Sequence, residues 1–231
     1  MRDDVKKIVG DHYVGRVANL GVTPKTVAWP NAHDLVTRFD VLLSGIELDT
    51  YRPDRPLRLL DLGCGPGLLL DWLSVNDLLP RIRYTGVDVT EHTMEHARAQ
   101  WPAQTFDLRD VRDRPFPVST FDYCVACGVF NARGYNSYED MVKLVQETLI
   151  SVWRSVDVGL AFNVMSKHVD WEKDDLFHWP LDEIMSFCKA SLSRHVSLHL
   201  DYGPWETAVI VLREPVRQHT RMPQRWTSNG P

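Results

Sequence analysis

The chain has 231 residues, enough for one well-buried core and too few for two typical independent domains. Its 44% hydrophobic and 25% charged content is that of an ordinary globular protein, and a formal net charge of -5 lacks the clustered positive charge that nucleic acid binding requires. No apolar run is long enough for a membrane-spanning helix, and four scattered cysteines with no signal peptide before them point to a cytoplasmic protein without a disulfide framework.

Val5, Ile8, Val9, Tyr13 and Val17 recur at roughly helical spacing, and Gly21-Val22-Thr23-Pro24 breaks that pattern. A second helix is expected after Asn31, whose side chain suits an N-cap, with Leu35, Val36, Phe39, Leu42, Leu43 and Ile46 as its apolar face up to about Leu48. Residues 1–52 thus read as a helical cap that closes over a site as a lid, with Tyr13, Trp29, His33 and Arg38 as the side chains that could face it. Residues 53–213 read as the main domain and 214–231 as a tail. Arg213, Arg217, Arg221 and Arg225 recur in that last region, but Pro215 and Pro223 interrupt any helix, leaving a solvated tail.

From Leu57 short apolar runs alternate with amphipathic segments, the pattern of βαβ units and a parallel sheet. Strands are expected at 57–62, 82–87, 105–108, 121–126, 158–163, 195–200 and 208–212, and helices at 68–78, 91–100, 138–153 and 181–190. Only Asp201–Glu206 separates the last two strands, which makes them a hairpin with an antiparallel final strand. The expected fold is α/β: a Rossmann-like three-layer sandwich with a mostly parallel seven-stranded sheet and an N-terminal helical lid.

The chemistry is expected where the first strands end. Asp61 closes the first strand, and Gly63, Gly65 and Gly67 follow before a helix begins, so the backbone can turn tightly and approach a ligand near the helix start. The spacing is G-x-G-x-G rather than the G-x-G-x-x-G of dinucleotide-binding dehydrogenases. Gly86-Val87-Asp88 ends the second strand with a carboxylate able to grip both hydroxyls of a ribose, although Thr90 and Glu91 also allow a capping role there. Asp110, after the third strand, can accept from an exocyclic amine, and the adjacent backbone N–H can donate to a ring nitrogen. Asp107 falls within the strand run. Cys124 and Cys127 form a C-x-x-C spacing inside an apolar run, which reads as two buried thiols rather than a redox pair.

Over roughly residues 57–213 the sequence resembles the class I S-adenosylmethionine-dependent methyltransferases, through Asp61–Gly67, Gly86-Val87-Asp88, Asp110-Val111, Pro115-Phe116-Pro117, Phe121-Asp122 and the terminal hairpin. The resemblance implies S-adenosylmethionine (SAM) as cofactor and S-adenosylhomocysteine (SAH) as product. It implies loop amides at Gly63, Cys64 and Gly65 against the methionine part, Asp88 on the ribose with Val89 beside it, and Asp110 on adenine. It also places Cys127-Gly128-Val129 beside the cofactor's amino group. A looser similarity, carried by Cys127–Asn131, Ala161-Phe162-Asn163, Ser193-Arg194-His195 and Asp201-Tyr202, is to small bacterial methyltransferases of natural-product and surface-sugar pathways. It implies a small-molecule acceptor. The leading expectation is methyl transfer to an oxygen of it, a hydroxyl, carboxylate or phosphonate, with nitrogen as the alternative.

For the acceptor, the segments after the fourth and fifth strands carry Asn131, Arg133, Tyr135, Asn163, Lys167, His168, His178 and Trp179. His168 is the first choice for a general base, because an imidazole accepts a proton near neutrality. Arg133 or Lys167 could bind an anionic acceptor, and Arg38 could pair with the methionine carboxylate. Trp171, Trp179 and Trp205 read as packing. No clustered metal-ligand spacing occurs, so no metal is expected. A nicotinamide-dependent oxidoreductase and a non-catalytic SAM-binding partner are the competing readings.

Overall fold

The computed structural model describes residues 31–215; Tyr13, Trp29, Arg217, Arg221 and Arg225, named above, lie outside the described residues. Eight strands form one sheet: β1 (Leu57–Leu62), β2 (Ile82–Asp88), β3 (Thr105–Leu108), β4 (Phe121–Ala126), β5 (Val156–Ser166), β6 (His178–Trp179), β7 (His195–His199) and β8 (Glu206–Leu212). Five helices accompany them: α1 (Ala32–Leu43), α2 (Leu68–Val75), α3 (Glu91–Gln100), α4 (Tyr138–Trp153) and α5 (Leu181–Ser191).

The strand order is β3-β2-β1-β4-β5-β8-β7, with β6 pairing β5 off that path. β1 to β6 pair in parallel, whereas β8 runs antiparallel to both β5 and β7. The chain order reverses between β1 and β4, the crevice in which open α/β sheets bind ligands.

The expected seven strands become eight because β6 has only two residues, too few to show any alternation. β5 runs from Val156 to Ser166, longer than expected at both ends, so Asn163 sits inside it. α1 stops at Leu43 rather than near Leu48, and α2 at Val75, with Asp77 just beyond in the left-handed region.

Side chains along β1 alternate between two layers. Leu57 and Leu59 join the core formed with α1, α2 and α3, while Leu60 and Leu62 join the core formed with α4 and α5. Strands covered on both faces need apolar residues at every position, which is why they read as continuous apolar runs. α1 is held by Leu35, Phe39, Leu42 and Leu43, all buried, and by Tyr123 Oη donating to the Leu42 carbonyl at 3.1 Å. Asn31 caps α1, accepting from His33 N at 2.9 Å, and Ser137 and Asp140 form a capping box on α4. Among the described residues no helix is long and apolar enough to cross a membrane.

Candidate active site

One cavity opens at the carboxyl ends of β1, β2 and β4. Its polar wall includes Asp61, Gly63, Cys64, Gly65, Asp88 and Thr90; Val89, Val111, Val129 and Leu144 supply apolar wall, and Leu35 and Phe39 reach it from α1.

The glycine turn is built for close approach. Gly63 has φ +72°, and a Cβ there would meet Val129 Cγ2 at 2.5 Å, so a side chain is excluded by conformation and by space. Gly67, at φ +91°, starts α2. The amides of this turn already bond within the protein: Gly63 N and Cys64 N donate to the Val87 carbonyl at 2.7 and 3.0 Å, and Gly65 N donates to Asp88 Oδ2 at 2.9 Å. The turn is thus stitched to β2, with Gly63, Cys64 and Gly65 on the cavity wall.

Asp88 also accepts from Thr90 N at 2.9 Å through Oδ1, so each carboxylate oxygen holds one backbone N–H and keeps capacity for another donor. Capping and ligand binding, alternatives in the sequence, coexist at this residue. Burial raises its pKa, and the N–H groups of Gly65 and Thr90 oppose that rise.

Asp61 is buried beside it. Burial pushes its carboxyl up to about 7; the Tyr84 hydroxyl, donating to Oδ2 at 2.6 Å, pulls the other way, and the charge of Asp88 adds to the rise. Cys64 and Cys127, both on the cavity wall, have thiols raised chiefly by burial and are therefore neutral. All four cysteines are free; in the C-x-x-C spacing Cys124 is buried and Cys127 partly so.

Asp110 lies on the wall with Val111, as the sequence suggested, but its carboxylate is gripped by Arg112. Nε and Nη2 of that guanidinium donate to Oδ1 and Oδ2 at 3.1 and 2.7 Å. A two-residue separation gave no sign of this fork.

On the other side of the switch point a second polar cluster is buried. Glu206, at the head of β8, accepts from Arg38 Nε and Nη2 at 2.8 and 3.0 Å, from Asn131 Nδ2 at 2.8 Å and from Asn163 Nδ2 at 2.5 Å. Asn163 Oδ1 accepts from Gly128 N at 2.7 Å, and Gly128 is on the cavity wall. Burial pulls the Arg38 pKa down, and the hydrogen bonds and charge of Glu206 outweigh it. Burial, then the charge of Glu206, pushes the Tyr202 hydroxyl up. Arg38, expected on the methionine carboxylate, is thus engaged by a protein carboxylate and is absent from the cavity wall.

The acceptor residues foreseen in the sequence are dispersed. Asn131 is buried in this cluster, and its Oδ1 has no hydrogen-bond partner among the described residues. Arg133 is partly buried, its backbone N bonded to the Asp175 carbonyl. His168, foreseen as the base, is exposed in the loop after β5 and outside the cavity wall. His178 is buried, with Nδ1 bonded to the Ser166 carbonyl at 2.7 Å. Trp179 is core, whereas Trp171 and Trp205 are partly exposed and pack edge to face. Among the described residues no group of three or more His, Cys, Asp or Glu is placed to hold a metal ion.

Residues 59–150 match the family model described as a methyltransferase domain. The chain is 30% identical over 161 residues to Rv1506c of Mycobacterium tuberculosis, assigned by its name to the methyltransferases; the match spans 68% of this chain and 93% of that protein. The chain belongs to the class I SAM-dependent methyltransferases. A shorter stretch of this methyltransferase, 77 residues, is 34% identical to malonyl-acyl-carrier-protein O-methyltransferase of Erwinia pyrifoliae, spanning 33% of this chain and 28% of that one. Its fold is similar to that of magnesium protoporphyrin IX methyltransferase from Synechocystis PCC 6803, crystallised with bound SAH. The TM-score is 0.59 at 13% identity over 91% of this chain and 97% of that one.

Proposed function

We propose that this methyltransferase moves a methyl group from SAM to an oxygen of a small molecule, and that the acceptor oxygen arrives already ionised, as in a carboxylate. The observation that carries the reading is the cavity wall itself: the buried carboxyl of Asp61 and the partly buried one of Asp88 at its polar part, apolar side chains beyond, and among the described residues no histidine, lysine or tyrosine.

These residues fit the cofactor. Asp88 has capacity left on both oxygens for a ribose diol, Asp61 suits a cationic amino group, and Val89, Val111 and Leu144 suit the faces of a purine. Asp110 stands on the same wall with its carboxylate oriented by Arg112, on the side assigned to adenine. When bound, SAM supplies an electrophilic methyl carbon on a positively charged sulfur, which departs as a neutral thioether when an acceptor lone pair displaces it. The protein's part is to hold the reactants in line and exclude water, which lowers the barrier without proton transfer. An ionised oxygen needs no base, in keeping with a wall that carries no histidine, lysine or tyrosine among the described residues. The partial likeness to an O-methyltransferase supports the same acceptor atom.

In this reading α1 forms one side of the cavity through Leu35 and Phe39. The test is methyl transfer from isotopically labelled SAM into small molecules of a cell extract, read by mass spectrometry. Label in an ester or ether supports the reading. Label on nitrogen or carbon, or none despite SAM binding, overturns it.

A further inference from the structure

Glu206 is the one acidic residue of the described chain that joins four separate elements at the cavity's margin. Its four donors come from α1, from the segment after β4 and from β5, while it stands at the start of β8. An ionised carboxylate only accepts hydrogen bonds, so it dictates how its partners turn: both asparagines must present Nδ2 to it. Asn163 is thereby left with Oδ1 toward Gly128 N, and the backbone of that cavity residue is held.

On α1, Arg38 lies between Leu35 and Phe39, the two residues of that helix on the cavity wall. The segment after β4 contributes Cys127, Gly128, Val129, Phe130 and Ala132 to the same wall. One buried carboxylate therefore ties α1 and the segment after β4 together.

We propose that Glu206 is a positioning residue: through Arg38, Asn131 and Asn163 it sets α1 against the segment Cys127–Ala132 and so holds the cavity at the width the cofactor requires. It touches neither the cavity nor a ligand. The inference rests on the reading of this cavity as the SAM site.

Calorimetric titration with SAH and thermal melting separate positioning from mere support. Glu206→Gln removes the buried carboxylate that Arg38 pairs with and is expected to lower both melting temperature and SAH affinity, the latter at least about tenfold. The pair Arg38→Met with Glu206→Gln removes both charges, and replacing a buried ion pair by uncharged groups is often neutral for stability. In that pair the melting temperature is expected to recover while SAH affinity stays at least about fivefold weak, because α1 is no longer tied to the segment after β4. Glu206→Asp keeps the charge but shortens its reach, and is expected to weaken SAH binding with a smaller loss in melting temperature. Recovery of parental SAH affinity in the paired variant would overturn the proposal, as would Glu206→Gln binding SAH within about twofold of the parent. The paired variant decides alone if Glu206→Gln does not fold. Failure of the unaltered chain to bind SAH strikes instead at the reading of the cavity.

Discussion

The carboxyl edge of the sheet has two halves built by different means. Over β1, β2 and β3 the site is made of backbone turns and of acids at strand ends, each a few residues from the glycine or strand that places it. Over β4, β5 and β8 it is made of side chains that meet across long stretches of chain, such as Arg38 and Glu206, 168 positions apart. The first half is organised by the backbone turn and by the acids at its strand ends. The second depends on a buried charge being satisfied, and fails when one partner is lost.

The largest effect is expected on the first half. Asp88→Ala removes the carboxylate that holds Gly65 N and Thr90 N and offers the ribose site, and SAH affinity should fall at least about a hundredfold by calorimetry. Retained affinity would move the ribose site elsewhere.

Next is the turn itself. Gly63→Ala forces a Cβ onto Val129 and a left-handed residue into strain, and should cost about 2–3 kcal/mol of stability in denaturant melts. Adding Val129→Ala should return about half of that, the remainder being backbone strain. No return would mean that contact with Val129 is not the cause.

A smaller effect follows from Asp61. Its folded pKa, near 7, lies above that of an unfolded aspartate, so between about pH 4 and 7 the folded chain retains a proton that the unfolded chain has released. Its contribution therefore favours the fold at low pH and is lost as pH rises through 7. Asp61→Asn should flatten that part of the decline in melting temperature with pH. The ionised form is also the one that attracts a cation, so SAH affinity of the unaltered chain should rise through the same range and that of Asp61→Asn should not.

The smallest effect is expected at His168, on the second half. His168→Ala alters an exposed side chain outside the cavity wall and should change melting temperature and SAH affinity little, within about 0.5 kcal/mol. A large loss of methyl transfer would bring this loop into the site and restore the base that the sequence suggested.

The same contrast explains what could be read from the sequence. β1 to β4 and their helices were legible because strands buried on both faces are unbroken apolar runs and because glycines and acids mark their ends. Asp88 and Asp110 lie on or beside the cavity for the same reason. The pairing of Glu206 with Arg38 was not legible because no spacing links them; each showed only as a charge in apolar surroundings, Glu206 before the run Thr207–Leu212 and Arg38 between Leu35 and Phe39. A charge in such a place asks for a buried partner. Reading that signal pairs the two with each other instead of sending Arg38 to the ligand. The exposure of His168 was not legible because loop residues after a strand carry no period from which it can be judged.

The most direct test of the central claim is calorimetric titration of the full-length chain with SAH, with NADH as the control. SAH binding at one site, abolished by Asp88→Ala, with no heat from NADH, is the result this account predicts. Tighter binding of NADH, or SAH binding indifferent to Asp88, would contradict it.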